Sequence, residues 1–335
     1  MKPAAFGVAL ALLAVVAHSD ASAEANEIRF AKQTSMGYVQ FNILEHRRLI
    51  EKYAMAQGLP EIKVTWATFN GPDAMNTALL AGDVDVVAGG VPALVTVWAK
   101  SRSTPQEIRG ISALSSQPFL LNTRSPRIKT IRDFTDADRI AVPAVGVSVQ
   151  AVTLRMAAAQ EFGKQNYAKL DRLTLSMPPP DATIGLLSGG SAFDSAFSVP
   201  PFQTQQLRVP GIHTVLNSFD VLGGSHSFTV AWTSRKFHDE NPKLYRALMD
   251  ALAEATEIIN ADKRAAAQLW MEDGKSKLPP DLVYEVIGGP QVKWTLVPEN
   301  TMKYASFMHE VGIVTAVPAT WKDLFFPEIH SLPGS

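Results

Sequence analysis

Short apolar runs of strand length alternate along the chain with longer stretches in which apolar residues recur at helical spacing. Proline near the start and glycine just past the end of these stretches mark helix boundaries. Because strands that alternate with helices form largely parallel sheets covered on both faces, the pattern predicts an α/β fold. The predicted strands are 27–31, 62–69, 84–88, 139–142, 173–176 and 193–197, and the predicted helices are 39–53, 147–162, one from Pro72 to Gly82, one from Pro92, one from Pro180, one from Pro200 and one from Pro242 to about Met271.

One unit of this pattern occurs twice. The stretch GPDAMNTALLAGDVDVVAGGVPALV (Gly71–Val95) reads like PPDATIGLLSGGSAFDSAFSVPPFQ (Pro179–Gln203). Each has Pro-Asp-Ala, then Leu-Leu with a small residue and Gly, then an Asp in an apolar run, then Val-Pro, with 20 positions between the two prolines. A repeated strand-helix-strand-helix unit indicates a duplication, one copy in each of two lobes.

Two extended runs separate the copies and are predicted to cross between the lobes. The first is Pro118–Thr123 and the second is Ser227–Thr233. A chain of 335 residues is long enough for two domains. We therefore expect one lobe from residues 24–121 plus 229–335 and a second from 122–228.

The first 23 residues have the pattern of a signal peptide. Lys2 provides a positive start, residues 6–17 are apolar but too few to span a bilayer, and Ala21-Ser22-Ala23 offers a cleavage site. An N-terminal membrane anchor is the alternative interpretation. No cysteine follows that could carry a lipid anchor. We expect a periplasmic protein, cleaved after about Ala23 and free of the membrane.

Composition excludes several classes of function. The 31 Lys and Arg residues nearly balance the 32 Asp and Glu residues, which argues against a nucleic-acid partner or an anionic membrane surface. The absence of cysteine removes thiol nucleophiles and cysteine-based zinc sites. The histidines lack metal-site spacing, and neither a phosphate-binding loop nor a hydrolase elbow occurs. The sequence predicts no cofactor, no metal and no catalytic residue.

Four ordered segments resemble one known family, the periplasmic solute-binding proteins of ABC importers for nitrate, sulfonates and taurine. They are LLAGDVDVVAGG (Leu79–Gly90), TIRDFTDADRIAVPAVGVSVQ (Thr130–Gln150), LLSGGSAFDSAF (Leu186–Phe197) and RKFHDENPKLYRALMDALAEATEIINAD (Arg235–Asp262). The resemblance implies the type II periplasmic-binding fold, with two doubly wound α/β lobes joined by a two-strand hinge. It also implies a monomer that delivers a small-molecule solute to an ABC permease in the inner membrane.

Two departures from the family pattern bear on the solute. A histidine common after the Gly-Ser turn is here Gln150, and a tryptophan frequent before the second-lobe helix is replaced by Val199-Pro200-Pro201. Both positions belong to the expected pocket. They favour a small organic anion, such as a sulfonate or carboxylate, over bare nitrate.

The topology also predicts where the solute binds. In doubly wound sheets, ligands lie beyond the carboxyl ends of the strands, and two facing lobes bring these ends to one cleft. Helix N-termini there direct free N–H groups toward an anion, and Ser148 is expected to add a hydroxyl. Lys32, Asp85 and Asp194 are interpreted as structural. The predicted ligand-binding residues are Ser35, Met36, Tyr38, Asn70, Gly71, Gly90, Phe119, Gly146, Ser148, Gln150, Ser176, Pro201 and Phe202.

The function expected from these features is that of a receptor without catalytic activity, which captures a solute by closing its lobes. Two alternatives remain open. One is an enzyme on the same scaffold, resembling desulfinases or thiamin-pyrimidine synthases, although those relatives depend on cysteine and this chain has none. The other is a ligand-binding input to a sensor kinase.

Overall fold

The computed structural model describes residues 24–189 and 192–335. The predicted signal peptide, residues 1–23, lies outside the described residues. The strands are β1 (Glu27–Lys32), β2 (Lys63–Thr68), β3 (Val86–Gly89), β4 (Ile108–Ser116), β5 (Leu120–Thr123), β6 (Ile140–Val142), β7 (Thr174–Ser176), β8 (Ser195–Phe197), β9 (His213–Asn217), β10 (Ser227–Ser234) and β11 (Lys293–Trp294). The helices of the first half are α1 (Val39–Arg47), α2 (Leu49–Ala56), α3 (Pro72–Ala81), α4 (Val91–Ser101), α5 (Val149–Phe162), α6 (Pro179–Ser188) and α7 (Phe202–Leu207). Those of the second half are α8 (Ser218–Leu222), α9 (Arg235–Glu240), α10 (Pro242–Ala261), α11 (Lys263–Asp273), α12 (Pro280–Ile287), α13 (Thr301–Glu310) and α14 (Trp321–Leu324).

The strands form two sheets with the same internal order. The first sheet runs β2-β1-β3-β10-β4-β11 and the second runs β7-β6-β8-β5-β9. In each, three parallel strands are followed by one antiparallel strand, which is β10 in the first sheet and β5 in the second. The predicted α/β fold with two lobes is confirmed, and the repeated unit occupies the same place in both sheets.

The two antiparallel strands are also the ones that follow the crossings between the sheets. β5 pairs only with strands of the second sheet, and β10 pairs only with strands of the first. The expected lobe boundaries, after residues 121 and 228, fall inside these strands. The connecting segments are therefore 117–119, between β4 and β5, and 223–226, between α8 and β10.

Two predicted helices are broken in the structure. Arg48 adopts the left-handed conformation (φ 52°) and separates α1 from α2, where one helix over 39–53 was expected. Asp262 separates α10 from α11, and its carboxylate accepts the N–H groups of Arg264 and Ala265 at 2.9 and 3.0 Å. Asp262 is thus an N-cap in the middle of the predicted helix from Pro242 to Met271. Periodicity alone does not reveal such breaks, because the apolar stripe continues across them.

The predicted helix from Pro200 begins two residues later, at Phe202. A residue that precedes proline is disfavoured in the helical region, and Pro200 precedes Pro201. The segment from Ser198 to Pro201 therefore stays outside the helix. This segment faces the other lobe, as described below.

The N-terminus of α10 is capped by Glu24. Its carboxylate accepts the N–H groups of Lys243 and Leu244 at 3.1 and 2.8 Å. Asn241, the residue before α10, does not cap the helix with its side chain and instead accepts the N–H of Ala25 at 2.7 Å. The first described residue of the chain therefore stabilises the longest helix of the first lobe.

The C-terminal helix α13 contacts both lobes. It packs against α4 of the first lobe and α5 of the second. The hydroxyls of Tyr304 on α13 and Thr153 on α5 are 2.8 Å apart and fully buried. The C-terminal helices were expected to complete the first lobe alone. Among residues 24–189 and 192–335, no helix has both the length and the apolar character needed to cross a membrane.

Candidate functional site: the cleft between the lobes

The two lobes touch directly along the predicted cleft. The N–H of Met36 donates to the carbonyl oxygen of Pro200 across the cleft at 3.0 Å. Gly90 of the first lobe packs so tightly against Val149 of the second that an added Cβ at Gly90 would lie 2.5 Å from the Val149 Cβ. These contacts describe a closed arrangement of the lobes.

Closure leaves a small inner cavity between the lobes. Its volume is about 30 Å³, which accommodates about two water-sized groups. Five predicted ligand-binding residues line it, together with Thr34 and Pro179. Those five are Ser35, Tyr38, Gly90, Ser148 and Gln150. Among the described residues that line this cavity, none carries a charged side chain.

Two buried polar side chains face this cavity without partners. Gln150 on α5 is 3% exposed and Thr229 on β10 is 1% exposed, and both line the cavity. Neither side chain forms a hydrogen bond with any residue of the described chain. Polar groups inside a protein are normally paired with other protein groups or with water. Two unpaired side chains that open onto the same cavity, one from each lobe, indicate a binding site for a polar group.

Helix N-termini add to the polarity of the inner cavity. Pro72 of α3, Gly90 before α4 and Ser148 before α5 all line it. The first N–H groups of a helix have no partner within the helix and carry partial positive charge. The cavity therefore favours a negatively charged group although no cationic side chain reaches it.

The Ser148 hydroxyl is occupied by the start of its own helix. It donates to the carbonyl oxygen of Ala144 at 2.7 Å and accepts the N–H of Ala151 at 3.3 Å. Its expected role as a hydroxyl donor to the solute is therefore replaced by that of an N-cap. The free polar group at this helix start is the side-chain amide of Gln150.

Ser35 and Tyr38 line the first-lobe side of the inner cavity. The Ser35 Oγ accepts the N–H of Gly37 at 2.9 Å, which leaves the hydroxyl proton available for a solute. The Tyr38 hydroxyl donates to the carbonyl oxygen of Ala88 at 3.1 Å. Burial raises the pKa of Tyr38 well above its usual value, so this phenol stays neutral.

A larger outer cavity of about 550 Å³ lies beside the inner one. The two share Gln33, Thr34 and Ser35, so they are neighbouring parts of one cleft. Its lining residues include the predicted Pro201 and Phe202 from the second lobe, as well as aromatic and charged residues of the first. Those first-lobe residues are Lys32, Asn42, Glu45, Trp66, Trp270 and Asp273.

Six predicted residues line neither cavity. Phe119 lies in the first crossing segment, where its ring packs 5.3 Å from Phe197 and 5.3 Å from His226. The Ser176 hydroxyl donates to the carbonyl oxygen of Pro143. The six are Met36, Asn70, Gly71, Phe119, Gly146 and Ser176.

Residues that the sequence analysis left out also line the inner cavity. The clearest is Thr229, because it is the unpaired polar group that faces Gln150 from the opposite lobe. Its position in an apolar crossing strand, Ser-Phe-Thr-Val-Ala, was the available signal. Thr229 lies three residues after the connecting segment 223–226, close to the cleft. The other additional lining residues are Gln33, Thr34, Pro72, Pro143, Val149, Pro179, Val199 and Phe228.

Two of the three charged residues interpreted as structural, Asp85 and Lys32, are paired through their side chains, and the backbone carbonyl of the third, Asp194, accepts a hydrogen bond from the Thr123 hydroxyl at 3.0 Å. Asp85 accepts the backbone N–H of Arg29 at 2.8 Å and pairs with its guanidinium at 2.7 Å. The Lys32 ammonium pairs with Glu45 at 2.6 Å. In the described ranges, no group of three or more His, Cys, Asp or Glu residues is arranged to hold a metal ion.

Comparison with known proteins gives one family and many similar structures. The model of the NMT1-like family matches residues 21–271. The alkanesulfonate-binding protein SsuA from Xanthomonas axonopodis pv. citri, bound to MOPS, has a TM-score of 0.65 at 17% identity, over 88% of this chain and 96% of that one. The periplasmic aliphatic sulphonate-binding protein SsuA from Escherichia coli has a TM-score of 0.64 at 16% identity, over 90% and 92% of the two chains.

The periplasmic nitrate-binding protein NrtA from Synechocystis PCC 6803 has a TM-score of 0.69 at 15% identity, over 90% of this chain and 84% of that one. No curated protein sequence matches the chain. The structural similarities confirm the resemblance predicted from the sequence at the level of the fold, which is shared with sulfonate-binding and nitrate-binding proteins.

Proposed function

Because the chain belongs to the NMT1-like family, we propose that it is the periplasmic solute-binding component of an ABC importer. It captures a small organic anion between its lobes and presents the closed form to a permease in the inner membrane. The observation that carries the proposal is the pair of unpartnered polar groups, Gln150 and Thr229, buried in the cleft from opposite lobes. The solved structures named above are themselves binding proteins.

The proposed mechanism is capture by hinge closure. The lobes turn about the crossing segments 117–119 and 223–226, and the inner cavity assembles only when Gln150 approaches Thr229. An anionic head group accepts hydrogen bonds from the Gln150 amide, the Thr229 and Ser35 hydroxyls and the first N–H groups of α5. Neither lobe alone presents the complete set of donors, so binding energy favours the closed state.

The cellular setting belongs to the same proposal. The chain is exported, cleaved after about Ala23, and left as a monomer without a lipid anchor. Cleavage at this position retains Glu24, whose carboxylate caps α10. Binding proceeds without turnover, and the protein has no nucleic-acid partner and no cofactor.

Replacing the two unpartnered groups tests this function. Gln150→Leu and Thr229→Val keep the volume of each side chain and remove its hydrogen-bonding atoms. Hydrogen bonds to a charged group contribute about 1.5–3 kcal/mol, so each variant is expected to bind an anionic solute about 10-fold to 100-fold more weakly. Isothermal titration calorimetry with carboxylates, sulfonates and nitrate measures the change.

The matched control is Gln268→Leu, an exposed glutamine on α11 that lines neither cavity. It should bind as the unmodified protein does. A ligand present at 100 times its Kd stabilises the protein by about 2.7 kcal/mol, so melting shifts identify the binders first. The proposal fails if no anion of the panel binds, or if Gln150→Leu binds the best of them unchanged.

A further inference from the structure

The two cavities of the cleft differ greatly in size. The inner cavity measures about 30 Å³ and the outer cavity about 550 Å³. The inner one has room for a head group of a few atoms, whereas the outer one exceeds the roughly 300 Å³ at which ligand pockets begin. A solute that filled the inner cavity alone would leave most of the cleft empty.

The cavities are adjacent along both of their walls. On the first lobe they share Gln33, Thr34 and Ser35. On the second lobe, Val199 lines the inner cavity and Pro201 lines the outer one, so that Pro200 lies between them. The bond from the Met36 N–H to the Pro200 carbonyl oxygen therefore lies at the boundary between the two cavities. One extended solute can occupy both sides of this boundary when the lobes close around it.

Three aromatic side chains, Trp66, Trp270 and Phe202, line the outer cavity. Trp66 stacks on Phe30 with ring centroids 4.2 Å apart, and its edge meets Phe41 at 5.6 Å. Trp270 on α11 and Phe202 at the start of α7 line the same cavity from opposite lobes, and both are partly exposed. Aromatic side chains that are held in place and partly exposed provide stacking surfaces for a flat ring.

The charges around the outer cavity do not favour a second anionic group. The Lys32 ammonium is compensated by Glu45 at 2.6 Å and also lies 5.2 Å from the centre of the Trp66 ring. Asp273 accepts a hydrogen bond from Asn42 at 2.6 Å and has no cationic partner among the described residues. The formal charge of these lining side chains is therefore negative, and a dianionic solute would place its second charge beside Asp273.

We propose that the outer cavity is the subsite for the body of the solute, and that the solute is an aromatic monoanion. Its small oxyanion head occupies the inner cavity beside Gln150 and Thr229, and its neutral ring occupies the outer cavity among Trp66, Trp270 and Phe202. This inference rests on the proposed function, because it assumes that an anion binds in the cleft.

Calorimetric titration with five probes tests the subsite. Acetate and methanesulfonate carry the head alone, benzoate and benzenesulfonate add a ring, and terephthalate adds a second charge. The ring-bearing monoanions are expected to bind at least about 10-fold more tightly than the head-only anions, and terephthalate at least about 10-fold more weakly than benzoate.

The variant Trp270→Ala distinguishes binding of the solute's ring from binding of its head group. It should weaken the binding of benzoate and benzenesulfonate about 10-fold and leave the binding of acetate and methanesulfonate unchanged. Phe202→Ala, on the opposite lobe, should show the same selectivity, which covers the case in which one variant folds poorly. Tyr284→Ala on α12 is the matched control, because it removes a partly buried aromatic ring that lines neither cavity.

The outcomes distinguish the subsite from the function. If the head-only anions bind as tightly as the ring-bearing ones, or if Trp270→Ala and Phe202→Ala weaken all four monoanions equally, the aromatic subsite is wrong while the receptor function stands. If none of the five probes binds, the proposed function is contradicted and the subsite with it. Tight binding of terephthalate overturns the charge argument and hence the assignment of a monoanion.

Discussion

The two copies of the repeated unit end differently. In the first, Gly90-Val91-Pro92 leads directly from β3 into α4, an 11-residue helix whose side chains are mostly buried. In the second, Ser198-Val199-Pro200-Pro201 remains non-helical, and α7 begins only at Phe202 and has six residues. The order of strands around the two copies is nevertheless the same. The two copies therefore diverge in the segment that follows the third strand of each sheet.

That segment has become part of the cleft wall in the second lobe. Val199 lines the inner cavity, Pro201 and Phe202 line the outer one, and the Pro200 carbonyl accepts the N–H of Met36 across the cleft. In the first lobe the same part of the unit provides Gly90, which allows the close approach of Val149. The second copy supplies part of the cleft wall, and the first leaves space for the start of α5. The comparison shows how a duplicated unit can form two unlike halves of a single site.

The largest effect is expected from filling the space at Gly90. Gly90 has φ −71° and ψ 151°, which any residue adopts, so Gly90→Val leaves the first lobe intact. The new Cβ would overlap Val149 and hold the lobes apart. We expect anion binding to weaken by at least about 100-fold, as measured by calorimetry, with an unchanged circular dichroism spectrum.

Relief of the overlap is the control for this prediction. Gly90→Ala combined with Val149→Gly removes the opposing Cβ and should restore much of the binding that Gly90→Ala loses. If Gly90→Val binds normally, the close contact between Gly90 and Val149 is not needed for capture, and the difference between the two copies has no effect on binding.

A second prediction concerns the crossing segments that join the copies. His226 is buried in the second crossing, 5.3 Å from the Phe119 ring of the first, and its Nε2 lies 2.9 Å from the Ser218 hydroxyl. Burial lowers the pKa of His226 to about 4, although the nearby carboxylate of Glu299 opposes the shift. In the unfolded chain His226 takes up a proton near pH 6.5, whereas in the folded protein it does so only near pH 4.

The unfolded state therefore binds more protons between these values, and the free energy of unfolding falls as the pH is lowered through this range. We expect His226 to lower the free energy of unfolding by about 2 kcal/mol between pH 7 and pH 5. Urea unfolding at both pH values measures it, and His226→Gln should remove that part of the pH dependence. An equal loss in the variant would assign the effect to other groups.

The smallest effect is expected at Ser198, the counterpart of Gly90. Its hydroxyl is buried and has no hydrogen-bond partner within the described residues. Ser198→Ala should change the free energy of unfolding by less than about 0.5 kcal/mol. Ser195→Ala, at a buried position in β8, removes a hydroxyl that donates to the Thr123 Oγ1 at 2.8 Å and should cost about 1 kcal/mol. Thermal unfolding compares the stability of the two variants. An equal loss of stability in Ser198→Ala would show that the Ser198 hydroxyl has a hydrogen-bond partner in the cleft.

Much of the fold could be predicted from the sequence because its signals are local. Apolar spacing and the helix-starting prolines located α3, α4 and α6 within one residue. Strands β4 and β9 were not predicted. Two helices were predicted as continuous where a non-periodic event interrupts the apolar stripe, at Arg48 and Asp262. The backbone turn at each of these residues depends on hydrogen bonds that the apolar pattern does not encode.

The candidate site was less predictable because its residues meet only after closure. Gln150 and Ser35 line the inner cavity as the loop positions suggested, but Asn70 is exposed and Phe119 lies in the hinge core. Thr229 was missed, since it belongs to a strand that had been interpreted as a connector. A loop at the carboxyl end of a strand is close to the cleft, yet the direction of each side chain depends on the opposing lobe.

The sequence by itself determined the alternation of strands and helices within the two copies of the repeated unit and the near neutrality of the chain, because propensity, periodicity and composition need no knowledge of distant contacts. Only the tertiary structure decided which polar groups remain unpaired and that the cleft divides into a small polar cavity and a large aromatic one. Those features arise where residues as distant as Met36 and Pro200 come into contact. The free energy of such contacts depends on the packing of both lobes at once.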